Sequence, residues 1–354
     1  MPVNRDGRKL GTPSAAHRID EAALSTYLEA NIPGFGGEIE VKQFLGGQSN
    51  PTYLVKARSG SYVLRKKPPG DLLPSAHAVD REYRVISALS ETAVPVPRTH
   101  LLCEDEDVIG QMFYIMDYVP GRVFTDPALP GCSPAGRTAI YEATIEVLGS
   151  LHGVDYQAVG LETFGRASGY VARQVAVWSR QYEASKLEES APMDKLMAWL
   201  PEHNPDDDQV SIVHGDYRPG NIIYENGQPG VAAVLDWELS TIGHPLADLG
   251  YFLMLYRLDA NSAIGGINGL GLDELGIPAE KVVVEAYAKR VGHQRTPGVT
   301  YYIVFSRFRL AAILAGVLGR GIEGNAADPR AIELGRTYKQ LADDAWKIAA
   351  DIKD

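Results

Sequence analysis

The sequence is poor in cysteine, tryptophan and positive charge. Its 354 residues include 2 Cys and 4 Trp, and 34 Lys and Arg stand against 45 Asp and Glu. Two cysteines, Cys103 and Cys132, cannot form a disulfide framework and are typical of a reducing compartment. A formal net charge of −11 argues against non-specific binding to nucleic acid or to anionic membranes. We therefore expect no nucleic-acid partner.

Long apolar runs are also absent. No run reaches the roughly 18 apolar residues that a membrane-spanning helix needs, and the most apolar helix-like run extends only from Leu310 to Leu318. Met1 to Ala16 is polar and has no apolar core of a secretion signal. We expect a soluble cytoplasmic protein with no membrane partner and with a disordered lead-in over residues 1–18. The oligomeric state is not indicated.

What the chain does contain is an ordinary share of core-forming residues, with 45% apolar and 22% charged. This length suggests two domains or one large two-lobed unit. Alternating apolar residues predict strands and a helical spacing predicts helices. The predicted strands are 39–44, 52–57, 61–65, 111–119, 211–214 and 231–236, and the predicted helices are 19–28, 76–89, 133–152, 170–185 and most of 281–354.

The strongest chemical signal is the segment that runs from His214 through Asp216 to Asn221, with a second carboxylate at Asp236. Phosphoryl transfer needs a group that orients the acceptor hydroxyl and oxygen ligands for Mg²⁺. Asp216 could orient the hydroxyl, and Asn221, five residues later, could supply one of the oxygen ligands for Mg²⁺. Asp236, which ends a predicted strand, completes a set of hard oxygen ligands.

This ordered set resembles the catalytic loop and metal-binding strand of protein kinases. With Gly215 after the His and Trp237 after the metal Asp, it is similar to the aminoglycoside phosphotransferase and choline kinase group. Within that group the segments 46–53, 62–68 and 235–239 resemble the kinase-like domain that some acyl-CoA dehydrogenases carry as a fusion. The resemblance covers the chain from about Phe44 to about Arg257.

The resemblance implies an α+β, protein-kinase-like two-lobed fold with a small antiparallel β N-lobe and a larger, mainly helical C-lobe. We predict an N-lobe over 19–115, a hinge over 116–121 and a C-lobe over 122–354. ATP with Mg²⁺ would lie between the lobes, and the partner would be a small hydroxylated molecule. The closer match implies a hydroxyacyl-CoA or a hydroxy acid as the acceptor, by analogy alone.

Residue roles follow from the same resemblance. Asp216 is the catalytic Asp, and His214 is assigned with it as the residue that braces the loop. Asn221 and Asp236 are the Mg²⁺ ligands. Asp248, in a His-Pro-Leu-Ala-Asp segment, matches a buried Asp that steadies the catalytic loop.

The phosphate-binding cation departs from the protein-kinase pattern. The strand position that holds Lys in protein kinases is Arg65 here, and Arg can grip phosphate oxygens through two nitrogens. Its expected partner is Glu82. Lys67 lies on the same predicted strand face, so either cation could serve. The Gly-rich loop is expected to cover the phosphates through Gly46, Gly47, Ser49 and Asn50, and the backbone of Met116 and Tyr118 is expected to bind adenine.

The acceptor side is less defined by the sequence. Arg166, Arg173 and Arg180 form either a basic wall for an anionic acceptor or a solvated helix face. The acidic run 206–208 is either an attractant for a cationic aminoglycoside or an exposed turn. A further set of arginines is equally open: Arg307, Arg309 and Arg320.

Three functions follow from these observations. The first is a metabolic small-molecule kinase. The second is an antibiotic-resistance kinase, whose polycationic acceptor would need an acidic pocket. The third is a nucleotide-binding pseudokinase, which only the departure at Arg65 supports, because Asp216, Asn221 and Asp236 are all present.

Overall fold

The computed structural model describes residues 9–45, 50–68, 78–205, 209–292, 296, 298–324 and 330–352. These residues form ten strands and eleven α-helices. The strands are β1 (Leu10–Gly11), β2 (Glu40–Phe44), β3 (Thr52–Ala57), β4 (Gly60–Lys66), β5 (Thr99–Cys103), β6 (Phe113–Asp117), β7 (Ser211–Val213), β8 (Ile222–Tyr224), β9 (Val231–Val234) and β10 (Thr241–Gly243). The helices are α1 (Glu21–Asn31), α2 (Val79–Leu89), α3 (Pro134–His152), α4 (Tyr170–Ser185), α5 (Ala191–Glu202), α6 (Leu246–Leu253), α7 (Leu272–Leu275), α8 (Glu280–Arg290), α9 (Val299–Ile322), α10 (Ala331–Arg336) and α11 (Tyr338–Asp351).

The contacts divide the chain into two units. Unit 1 comprises Met1–Val123 and Asn221–Ser240, and unit 2 comprises Phe124–Gly220 and Thr241–Asp354. The C-lobe predicted over 122–354 differs from unit 2, because the hairpin of β8 and β9 groups with unit 1. Backbone bonds explain this grouping: Arg122 and Tyr224 exchange N–H···O bonds of 2.7 and 2.8 Å, and the Val234 N–H donates to Pro95.

Unit 1 is built on a six-stranded antiparallel sheet with the order β1-β2-β3-β4-β6-β5. Helix α1 begins where the Asp20 side chain accepts the N–H groups of Ala22 and Ala23, which satisfies donors that have no partner inside the helix. Its Leu24 and Leu28 are fully buried and belong to the core cluster that the sheet also lines. The sheet thereby fixes Arg65 in β4 opposite Tyr114 in β6.

The lead-in is ordered where the structure describes it. We predicted disorder over 1–18, and for residues 9–18 that prediction is wrong: Leu10 and Gly11 pair with Phe44 and Gln43 at the edge of the sheet. The Tyr53 hydroxyl also donates to the His17 carbonyl at 2.8 Å. Leu10 is buried, and burial of this side chain together with the strand pairing accounts for the order. Residues 1–8 lie outside the described part.

Unit 2 is mainly helical and surrounds α9, which contacts α4, α6, α10 and α11. Helix α9 is long and apolar enough to cross a membrane by length and composition, and 78% of its most apolar window is buried inside the protein. A core helix of a globular protein passes the same test. Two arginines, Arg307 and Arg309, lie in its buried stretch.

Candidate active site

In unit 1 a buried ion pair joins the central strand β4 to helix α2. The Arg65 Nε lies 2.8 Å from the Glu82 Oε2, and the exposed fractions of the two side chains are 13% and 1%. Lys66, the next residue, has its side chain buried and lies over the Tyr53 ring. The two cations predicted for the phosphate-binding face were Arg65 and Lys67, and Arg65 is the one that the structure pairs with Glu82.

Glu82 is held from three sides. Its Oε1 accepts the Asn50 amide N–H at 2.7 Å, and its Oε2 accepts the Tyr114 hydroxyl at 3.0 Å in addition to the Arg65 contact. Burial raises the pKa of Glu82 to about 7, while the Arg65 cation opposes the rise. Asn50 therefore orients Glu82 in this structure, and its predicted contact with phosphate stays a prediction.

The same arginine also contacts the predicted metal ligand. Arg65 Nη2 lies 2.6 Å from the Asp236 Oδ1 and 3.7 Å from Glu238. Asp236 adopts a left-handed backbone conformation, with φ of 67° and ψ of 60°. Asp and Asn tolerate this conformation better than most residues do. The strained turn after β9 therefore aims the Asp236 carboxylate toward the Arg65 guanidinium.

Asn221 lies beside Asp236 because β8 and β9 pair. The Leu235 N–H donates to the Asn221 carbonyl at 2.8 Å, so the two predicted ligands start from neighbouring chain segments. Within the described residues no cluster of three or more His, Cys, Asp and Glu side chains could hold a metal. An amide and a carboxylate oxygen nevertheless fit Mg²⁺, which takes most of its ligands from water and phosphate.

In unit 2 the predicted catalytic loop is a tightly bonded turn after β7. His214 is fully buried, and its Nδ1 accepts the backbone N–H of Asp216 at 3.1 Å. The ring contacts Tyr217 edge to face. The His214 ring thus contacts the turn at two places, and its implied role as the residue that braces the loop stays a prediction.

Asp248 holds this turn through two hydrogen bonds to its backbone. Its Oδ2 accepts the backbone N–H of His214 at 2.6 Å and its Oδ1 accepts that of Gly215 at 2.7 Å. Gly215 has a φ of +87°, which favours glycine. Burial raises the pKa of Asp248, but bonds from His152 and from the Gly215 amide outweigh it and hold the pKa below its usual value.

The Asp216 carboxylate is 17% exposed and lies between a cation and a phenol. The Arg218 Nε lies 3.2 Å from the Asp216 Oδ1. Burial, the charge of Asp216 and a hydrogen bond between the two side chains raise the pKa of Tyr251 well above its ordinary value. Tyr251 therefore stays a neutral donor to Asp216. No local pattern predicts this contact, because Tyr251 lies 35 residues further along the chain.

Only some of the residues predicted to bind the nucleotide lie in the part of the chain that the structure describes. Gly46, Gly47 and Ser49 lie outside the described residues. At the predicted hinge, Met116 lies within β6 and the Tyr118 N–H donates to the Ser61 carbonyl at 3.2 Å. That N–H is therefore occupied, and the predicted backbone contacts with adenine stay predictions.

The structure distinguishes among the arginines whose roles the sequence left open. The Arg173 guanidinium donates to the Ser168 carbonyl and, at 2.6 Å, to the Arg166 carbonyl, so it shapes the loop before α4. Arg180 and Arg320 are exposed. Buried Arg307 contacts the Arg257 carbonyl and Asp344. Arg309 differs from all of these, because its guanidinium lies against the rings of Trp178 and Tyr251. The acidic run 206–208 lies outside the described residues.

The chain is similar to known proteins of one enzyme family. The model of a phosphotransferase enzyme family matches residues 40–279. Mouse acyl-CoA dehydrogenase family member 10 is 42% identical over 94% of this chain and 31% of that protein, and human family member 11 is 39% identical over 94% and 43%. The chain thus spans less than half the length of these relatives.

Solved structures show the same fold. A "putative aminoglycoside phosphotransferase" of Ralstonia eutropha superposes with a TM-score of 0.87 at 43% identity, over 95% of this chain and 100% of that chain. A thermostable mutant of the aminoglycoside phosphotransferase APH(4)-Ia, solved with AMP-PNP and hygromycin B, gives 0.60 at 15% identity over 93% and 99%. The predicted resemblance and the predicted α+β, protein-kinase-like fold are confirmed. The chain belongs to the phosphotransferase enzyme family and is a phosphotransferase that acts on a hydroxyl group.

Proposed function

We propose that this chain transfers the γ-phosphoryl group of ATP to a hydroxyl of a small metabolite in a Mg²⁺-dependent reaction. The observation that carries the proposal is the contact of Arg65 with both Glu82 and Asp236. A guanidinium held by a buried carboxylate beside a second, partly exposed carboxylate suits binding of phosphate oxygens next to a metal. Mg²⁺ at Asn221 and Asp236 would supply positive charge that offsets the negative charge of the phosphates.

In the proposed reaction Asp216 orients the acceptor hydroxyl. The acceptor oxygen forms a bond to the γ-phosphorus, the bond from that phosphorus to the bridging oxygen breaks, and ADP leaves with that oxygen. The hydroxyl proton passes to the Asp216 carboxylate late, after most of the new bond has formed, so orientation is the main task of that carboxylate. The hydrogen bond from Tyr251 and the contact with Arg218 support an Asp216 side chain held in one position.

A hydroxyacyl-CoA or a hydroxy acid is the acceptor that we favour, on the likeness to acyl-CoA dehydrogenase family members 10 and 11. A polycationic antibiotic fits less well, because Arg218 lies beside Asp216. A pseudokinase role is disfavoured by the intact set of Asp216, Asn221 and Asp236. The unpaired cysteines are compatible with the cytoplasmic location that we propose.

A screen of hydroxylated metabolites and CoA esters, with ADP release as the readout, tests the proposal. Slow ATP hydrolysis without an acceptor should require Mg²⁺, and one or more hydroxylated acceptors should raise the rate. Loss of the stimulated rate in Asp216→Asn is expected. Absence of ATP binding, or ATP hydrolysis that is independent of Mg²⁺, would contradict the proposal.

A further inference from the structure

Arg309 is a buried cation that has no acidic partner in the part of the chain that the structure describes. It lies on α9 and is 5% exposed. Its Nε is buried and makes no hydrogen bond there. A buried charge without a counter-charge costs far more free energy than an exposed one. A ligand that brings a negative charge would offset this cost.

Two aromatic rings hold the guanidinium in place. Its Cζ lies 5.4 Å from the centroid of the Trp178 ring and 5.5 Å from that of the Tyr251 ring. Cation–π contacts of this kind stabilise a guanidinium, but aromatic rings offer no oxygen acceptor to its N–H groups. Among the described residues the buried Nε has no acceptor, and the rings supply none to the guanidinium, which leaves N–H groups that an oxygen of a ligand could accept.

Arg307, two residues earlier, is a useful contrast. It is equally buried, at 3% exposed, but its Nη2 donates to the Arg257 carbonyl at 3.0 Å and lies 3.9 Å from Asp344. The fold thus supplies both an acid and a carbonyl for Arg307. The difference between two buried arginines on one helix indicates that Arg309 does not serve the fold in the same way.

The position of Arg309 relates it to the proposed chemistry. Tyr251 touches both groups, because its hydroxyl is hydrogen-bonded to Asp216 and its ring lies against Arg309. One side chain, that of Tyr251, therefore lies between the carboxylate that is proposed to orient the acceptor hydroxyl and a cation that no described acidic residue contacts. An acceptor whose hydroxyl is at Asp216 would place a second group near Arg309.

We infer that Arg309 binds an anionic oxygen group, a carboxylate or a phosphate, on the hydroxylated acceptor. The inference rests on the proposed function, since it takes Asp216 as the place of the reacting hydroxyl. It makes Arg309 a determinant of specificity: the acceptor is a hydroxylated anion, and neutral alcohols of the same skeleton bind weakly. The planar guanidinium suits two-point binding of such a group.

Binding of matched probes to the full chain, measured by titration calorimetry, tests the inference. The probes are 3-hydroxybutyrate against 1,3-butanediol for a carboxylate, and glycerol 3-phosphate against glycerol for a phosphate. We expect one anion to bind about ten- to hundredfold more tightly than its neutral partner, the scale of a hydrogen bond to a charged group. Arg309→Met should abolish this preference, Arg309→Lys should retain part of it, and Arg336→Met, which removes an exposed arginine, should leave it unchanged.

Thermal unfolding separates a binding role from a structural one. Arg309→Met replaces a buried charge that has no acidic partner among the described residues by an apolar chain, so the unfolding temperature should hold or rise. Arg307→Met should lower it, because the hydrogen bond to the Arg257 carbonyl and the contact with Asp344 are lost. Equal affinity of the wild type for the anions and their neutral partners would overturn the inference, as would an unchanged preference in Arg309→Met. Mg²⁺-dependent ATP hydrolysis is measured separately, so failure of the proposed function is distinguished from failure of this inference.

Discussion

The pair of Arg65 and Glu82 allows a prediction whose size follows from the contacts. Breaking a buried ion pair costs about 3–5 kcal/mol when the other charge is left alone. Arg65 would not be left alone in Glu82→Gln, because Asp236 lies 2.6 Å away and Glu238 3.7 Å away. Gln can also keep contacts with Asn50 and Tyr114. We therefore expect the smaller loss of about 1.4 kcal/mol, or tenfold in kcat/KM for ATP.

Arg65→Lys should cost a similar factor, since it keeps the charge but loses the planar fork that reaches Glu82 and Asp236 together. Independent effects would multiply to about a hundredfold in the double variant. We expect only about ten- to thirtyfold, because each change disturbs the same contact. Steady-state ADP release at varied ATP concentration measures all three variants.

The controls are Glu91→Gln and Arg84→Lys, which make the same chemical changes at exposed positions and should leave kcat/KM within about twofold. Strict additivity of the two single changes would refute the reasoning. Lys67, which lies on the predicted phosphate-binding face, would then be the better candidate for the cation.

The other predictions concern the metal, the catalytic loop and pH. Asp236→Asn should abolish turnover while circular dichroism and the unfolding temperature stay close to wild type, because Asn tolerates the left-handed backbone; an active variant would show that the metal assignment is wrong. Asp216→Asn should lower kcat by about 10²–10⁴ with little change in the affinity for ATP, and joint loss of both would contradict an orienting role. Since burial raises the pKa of Glu82 to about 7, protonation below that pH should weaken its hold on Arg65 and raise the KM for ATP, and Glu82→Gln should flatten this profile. The same shift makes the contribution of Glu82 to stability fall as pH rises from 4.5 to about 7, which urea unfolding of wild type and Glu82→Gln at several pH values would measure.

Local patterns in the sequence were sufficient for much of the fold. The helix over 170–185 and the strand over 52–57 have the predicted bounds, because their apolar spacing is regular and turn residues flank them. Helix α5 was missed, since Pro192 and Pro201 lie within it and proline argues against a helix interior. Strand β5 was also missed; it is short, and its pairing with β6 contains a register shift.

The candidate site was predictable only where the chain keeps the spacing of a known motif. Asp216, Asn221 and Asp236 follow such a motif. Tyr251 and Arg309 do not, because their roles arise from contacts between segments that are distant in the chain. Among the described residues Arg309 has no acidic partner, and that is a property of packing which no local sequence pattern indicates.

The grouping of β8 and β9 with unit 1 has a consequence for how the protein acquires its structure during synthesis. The contact of Arg65 with Asp236 spans 171 residues, and Asn221–Ser240 comes after nearly a hundred residues of unit 2. A ribosome therefore releases most of unit 1 long before the segment that completes it. Contacts of such sequence separation slow folding and prolong the exposure of unfinished surfaces. Unit 1 can therefore be completed only after the hairpin of β8 and β9 has been synthesised.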